Sequence, residues 1–401
     1  MTQGADENES PDSGLTPAKV IRAAGAVHGP ASRLWQGIPG LERAANGRLW
    51  AAWYTGGDGE GPGNHVVLAT SGDDGATWID PALLIVPGPC QRTFDACLWL
   101  DPENRLWLFW TQSGENALFD GRGGVWAIRA DRPEREDALW TKPVRLCHGV
   151  MMNKPTVLAN GDWLLPAAVW TNSDPAPKPD AYPHRGSGVV ASSDGGLSWR
   201  WRGALAFAPG RAVDEHMLVE RRDGSLWMLF RAVYGIGQSV SRDGGRTWSR
   251  ARPTEIDHVN ARFFIRRLRS GALLLVHHQL PADYQLPADH LSFPRTHLTA
   301  RISDDDGRTW KGGLLLDERD RVSYPDGCQA PDGSIRIIYD YNRGIKGSPP
   351  DRMDREILMA AFREEDVRAG GASAADVRFR QLVSKATASP DITSPPCARS
   401  L

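Results

Sequence analysis

The chain is poor in the features that mark most other function classes. Its five cysteines, Cys90, Cys97, Cys147, Cys328 and Cys397, form an odd set without a Cys-x-x-Cys pair, which argues against a disulfide framework and against a thiolate zinc site. Neither sign of charge dominates. With 47 Lys and Arg against 49 Asp and Glu, the net charge is −2, so there is no electrostatic case for nucleic acid or an anionic membrane as partner. No apolar run approaches the roughly 20 residues of a membrane-spanning helix. The opening segment MTQGADENESPDSG is acidic and polar and lacks the basic and apolar regions of a secretory signal; with the scarce cysteine it predicts a reducing, cytoplasmic setting. A Gly-rich phosphate loop, a nucleophilic serine elbow and a dinucleotide fingerprint are missing from any suitable strand–helix context, so no organic cofactor is implied. Helical periodicity is rare, and REEDVRAG near Arg363 is the one segment that predicts a short helix.

What the chain has is repetition. Glycine or asparagine turns followed by short aromatic or aliphatic strands start at Gly47, Asn104, Gly161, Gly224, Gly271 and Gly333. The steps between them suit one four-stranded propeller blade each. A second repeat reads SGDDGATW from Ser71, SSDGGLSW from Ser192, SRDGGRTW from Ser241 and SDDDGRTW from Ser303. It falls once per blade in blades one, three, four and five. Blade two keeps a relic around Asp131, and the fourth strand of blade six is not obvious. In each copy the aspartate is placed to accept backbone N–H groups, the glycine takes a positive φ, and the tryptophan packs between sheets. These turns are therefore structural. The expected fold is all-β, a six-bladed β-propeller of four-stranded antiparallel blades, spanning residues 29–383 between a disordered leader at 1–28 and a disordered tail at 384–401. Most of the 16 tryptophans serve as blade filling.

Chemistry must then lie at the end of the blades opposite these turns. Counting outward from each hairpin turn sets Glu215 opposite Arg231, Tyr324 opposite Asp340, Gln36 near Thr55, Arg262 near His277 and Asp95 near Thr111. The loop TGGDGEGPGNH brings Glu60 to the same end, and Arg92, Asn153, Lys154 and Arg295 join it. Polar residues at the strand entrances of a rigid scaffold make an expected binding surface. The segment with two QLPAD copies, at Gln279 and Gln285, together with His277, His278, His290 and His297, matches no metal-ligand spacing and reads as a solvated, lid-like insertion.

Four copies of the Ser-x-Asp turn at blade spacing resemble the Asp boxes of the sialidase (neuraminidase) superfamily, over roughly residues 30 to 345. The resemblance implies residue roles one position at a time. DEHMLVE resembles the segment that carries the family's activating glutamate, which is Glu215 here. VSYPDG followed by QAPDGSIRIIYD places Tyr324 at the nucleophile. WMLFR and RTHLTARIS make Arg231 and Arg295 carboxylate-binding arginines, and Glu60 takes the place of the acid/base residue, normally an aspartate. The implied function is retaining hydrolysis of a terminal acidic sugar from a glycan, without a metal.

One position departs from the family pattern. Trp35-Gln36-Gly37-Ile38-Pro39 puts Gly37 where the family has a third carboxylate-binding arginine. A uronate or another nonulosonate is therefore open as the sugar, with Arg92 or Arg262 as substitute cations. Two other readings stay open on the same scaffold. One is a uronate-directed lyase using His216, His277, His278 or Tyr324, and the other is a noncatalytic carbohydrate-binding propeller.

Overall fold

The computed structural model describes residues 16–22, 28–57, 59–114, 123–169, 186–206, 214–284, 294–344, 354–372 and 376–388. Their strands form six antiparallel sheets set around a central axis. Each sheet is built from consecutive strands. Blade four, for example, runs Asp214–Glu220, Leu226–Ala232, Gly235–Ser241 and Arg252–Pro253 from the axis outward. The inner strand of each blade lines the axis, as in Gln36–Arg43, Gln91–Leu100 and Val322–Gln329.

Every blade-to-blade interface is filled by its own apolar cluster. Blades one and two share Trp50, Leu68, Leu98 and Trp110, blades two and three share Trp99, Phe109 and Trp163, and blades five and six share Leu274, Ile302, Ile337 and Tyr339. The box tryptophans Trp78, Trp199, Trp248 and Trp310 pack against four of these clusters, as the sequence predicts. In the box of blade four, Ser241 Oγ donates to Asp243 Oδ1 at 2.8 Å and accepts the Gly245 N–H, also at 2.8 Å. Asp243 in turn accepts from the Thr247 amide and hydroxyl. The other three boxes repeat this pattern. Such bonds favour the ionised carboxylate, and those of Thr77 and Ser71 bring Asp73 down to about 2.

The boundaries differ from expectation at both ends. Lys19–Arg22 lies inside the predicted leader, yet it is a strand paired with Leu83–Val86 and makes blade one five-stranded. Its Val20 packs on the cluster shared by blades one and two, a burial that the short KVIR run did not advertise. The fourth strand of blade six is Arg378–Lys385, so the chain is still regular at Ser384. The predicted helix is present at Glu364–Ala369.

The ring closes without an interleaved blade. Arg33, 1% exposed, makes a two-pronged ion pair with Asp80 at 2.6 and 2.9 Å, and Ser384 Oγ donates to Asp80 at 2.6 Å. The Thr387 amide adds a bond to Pro30 O at 2.8 Å. This latch ties blade one to blade six.

Cys90 is disulfide-bonded, although the odd cysteine set argued against a disulfide framework; Cys97, Cys147 and Cys328 are free. Persistent disulfides belong to oxidising compartments, so the bond does not favour the reducing setting that the cysteine count suggested. No described helix is long and apolar enough to cross a membrane.

Candidate active site

Four inner strands are bulged at the same depth. Their ladders shift register between Gly37 and Gly40, Phe94 and Cys97, Asp214 and Met217, and Ser323 and Asp326. At each shift one residue takes a positive φ: Ile38 at 58°, Asp95 at 51°, Glu215 at 50° and Tyr324 at 53°. An extra residue at a bulge re-aims its side chain, and a non-glycine residue in this region costs on the order of 1–3 kcal/mol. Three of the four strained positions carry chemistry-bearing residues. The bulges also explain why hairpin counting misses by one. The residues paired with Arg231, Asp340 and Thr111 are Asp214, Ser323 and Phe94, each immediately before the extra residue. Gln36 does pair with Thr55.

The bulges bring Tyr324 and Glu215 together. Tyr324 Oη donates to Glu215 Oε1 at 3.0 Å, and the Arg231 guanidinium reaches the same oxygen at 2.9 Å and the phenol oxygen at 3.4 Å. Asn260 Oδ1 steadies Arg231 from behind at 2.6 Å. Glu215 Oε2 is buried and has no hydrogen-bond partner among the described residues. Arg295 stands 5.3 Å from the Tyr324 ring centroid. Burial, and then the Glu215 charge, push the Tyr324 phenol well above its usual range despite three nearby guanidinium groups. The resting phenol is therefore protonated at neutral pH.

Sequence reasoning missed a residue here. Arg343 lies 4.8 Å from the Tyr324 ring centroid, with Nε 3.8 Å from Asp340 and Nη1 3.4 Å from Glu60. It sits three residues beyond Asp340 in YDYNRG. Extending the hairpin count past the strand would have found it. Asp95 closes the acidic side of the site. Its carboxyl is pushed well up by burial, then by Glu60 and Glu215, against the pull of Arg92 and Arg262. The Arg92 guanidinium lies 3.9 Å from the Phe94 ring centroid.

Four expected binding residues serve the scaffold instead. Lys154 Nζ donates to Leu41 O, Leu98 O and Glu42, and lies 3.1 Å from Asp326. Burial alone would lower its ammonium, but Asp326 and Glu42 outweigh that and raise it. Asn153 holds the Glu215 and His216 carbonyls and accepts from Arg262, which also donates to Pro325 O and Met152 O. Gln36 donates to Arg355 O. All four are fully or nearly buried. Asn153, Lys154 and Arg262 form a polar plug across the axis, and their polarity gave no signal to separate plug from site.

The histidines behave as core residues. His216 Nε2 meets Gly188 O at 2.7 Å, His277 Nδ1 meets Asp257 O and His278 Nδ1 meets Thr296 O. His290 lies outside the described residues. Burial lowers His65, His216 and His258 to about 4, and His277 and His278 well below 6.5. Below about pH 6.5 the unfolded chain takes up protons that these folded rings refuse, so stability falls toward pH 4. The raised Asp95 and Asp340 act with the opposite sign, but five histidines outnumber two carboxyls. The urea midpoint is expected to correspond to a loss on the order of 2 kcal/mol or more between pH 7.5 and 5.0. An unchanged midpoint would mean that the rings protonate in the folded protein.

Residues 47–337 match the family model of the BNR repeat-like domain. The chain belongs to this BNR family. No curated protein matches it in sequence. Among solved structures, this BNR protein is similar to a Dyadobacter fermentans protein of unknown function, at 16% identity over 84% of this chain and 96% of that one, with a TM-score of 0.60. The NanB sialidase of Streptococcus pneumoniae matches at 13% identity over 88% and 71% of the two chains, TM-score 0.61. The intramolecular trans-sialidase of Ruminococcus gnavus, solved with oseltamivir carboxylate, matches at 16% over 88% and 98%, also with a TM-score of 0.61. At these identities the likeness shows the BNR propeller fold and leaves the reaction to be argued from the site.

Proposed function

We propose that the protein is a sialidase-like exo-glycosidase that releases a terminal acidic sugar from a glycan with retention of configuration. The observation that carries this reading is the Tyr324 hydroxyl bonded to Glu215 at 3.0 Å, ringed by Arg231, Arg295 and Arg343. A neutral phenol suits attack on an anomeric carbon that bears a carboxylate, because an anionic carboxylate nucleophile would be repelled. It is too weak an acid to react alone, so it needs a base within hydrogen-bond reach, and Glu215 fills that place. The guanidinium groups hold the sugar carboxylate. Glu60, 46% exposed and tethered only by Arg343 among the described contacts, is free to protonate the leaving oxygen and later to activate water.

A lyase reading needs a base near the proton alpha to a uronate carboxylate. Of the bases that this reading offered, His216, His277 and His278 are buried and bonded to backbone carbonyls, which leaves Tyr324 as the one base a lyase would use and makes the product the deciding observation. The test is incubation with sialosides and uronate-terminated oligosaccharides, following released sugar by mass and unsaturated product by ultraviolet absorbance. Free acidic sugar without absorbance supports the proposal. Absorbance would establish elimination, and binding without turnover would establish a noncatalytic propeller. Glu60→Gln is expected to slow natural aglycones by about 10²-fold or more while sparing substrates with activated leaving groups. Equal loss on both would remove Glu60 from the acid's role.

A further inference from the structure

We infer that Arg343 of blade six is the third anion-binding cation of this site, and that Gly37 is a glycine because the Arg343 side chain lies where a residue 37 side chain would begin. A Cβ built on Gly37 would meet Arg343 Cδ at 2.2 Å and Cγ at 2.7 Å, well inside contact distance. Gly37 does not need glycine for its backbone, since it is absent from the positive-φ residues. The main constraint is the arginine, with Asp340 Oδ2 next at 3.1 Å. That arginine is aimed by built contacts: Asp340 Oδ2 lies 3.8 Å from its Nε, and Asp340 is itself fixed by the Ser323 hydroxyl at 2.8 Å and the Ile38 amide at 2.9 Å. Only 12% of the side chain is exposed. Its guanidinium stands over the same tyrosine ring that Arg295 faces, and Arg231 bonds that tyrosine's base. Three cations from blades four, five and six therefore converge on one phenol.

The ligand class that follows is a sugar carboxylate, held from the blade-six side. The inference rests on the proposed function for its ligand class but not for the reaction. Arg343 also spans from the carboxylate side to Glu60 at 3.4 Å. One residue thus sets both anion recognition and the position of the exposed carboxylate.

The test measures binding of N-acetylneuraminic, glucuronic and galacturonic acids, each beside its uncharged carboxamide, by calorimetry or ligand-observed NMR. Arg343→Gln is expected to weaken the preferred acid by about 10- to 100-fold and to leave its carboxamide unchanged. Gly37→Ala, which alters no polar group, is expected to weaken the acid in the same direction by displacing the Arg343 side chain. Thermal melts confirm that each variant is folded. Undiminished acid affinity in either folded variant, or equal loss for acid and amide, overturns the inference; so does a parent protein that binds none of the acids. A parent that binds an acid through Arg343 but never cleaves its glycosides defeats the hydrolase reading and leaves this one standing.

Discussion

Tyr324→Phe is expected to lower turnover of an acidic glycoside by about 10³-fold or more while the protein stays folded and still binds the sugar. The reason is in the proton. Burial and Glu215 hold the phenol protonated, so attack requires that its proton pass to Glu215, 3.0 Å away, as the new bond forms. Phenylalanine keeps the ring beside Arg295 and Arg343 and removes only the oxygen. Glu215→Gln should cost a similar factor, because an amide can still receive the hydroxyl's hydrogen bond but cannot take its proton. The double variant should be hardly worse than either single one, since groups that act as a unit lose their effect together. Rates within tenfold of the parent in both single variants would end this assignment.

The largest expected loss of stability lies one layer deeper. Lys154→Met is expected to cost about 3–5 kcal/mol, because it leaves Glu42 and Asp326 facing each other in the axis without their shared cation. The ammonium also caps two carbonyls, Leu41 O and Leu98 O, from blades one and two. The double variant Lys154→Met, Glu42→Gln should recover part of that loss, since it removes the stranded Glu42 charge while Asp326 keeps Arg262 3.6 Å away. Denaturant midpoints of the two variants give the comparison. A single variant within about 1 kcal/mol of the parent would show that water enters the plug and screens the pair.

The fold was legible because its signals are local and repeated. A Ser-x-Asp turn with its tryptophan carries its own hydrogen bonds, so four copies define blades whatever surrounds them. Counting did bring Glu215, Arg231 and Tyr324 to the same end of the blades, where they are in contact. The finer placement failed for two physical reasons. A bulge adds a residue without changing the sequence pattern, so the register slipped by one at Asp95, Glu215 and Tyr324. Depth along the axis is not written in residue type either, so Asn153, Lys154 and Arg262 looked like binding residues although they face backbone carbonyls below the site. Gly37 was legible as a missing arginine; its cause, a side chain 306 positions later in blade six, is a tertiary fact.

The latch at Arg33, Asp80 and Ser384 has a consequence for how the chain can be rearranged. Because each blade is one continuous stretch, no strand has to be contributed from the far end of the sequence. Residues 30 and 387 are already hydrogen-bonded neighbours. A short linker there, with new ends opened at an exposed hairpin tip such as Arg222–Gly224, would give a circular permutant that keeps four strands in every blade and the same arginines over Tyr324, and that leaves out only the outer strand Lys19–Arg22 of blade one. Such a molecule would add a covalent clasp to the ionic one at Arg33 and Asp80.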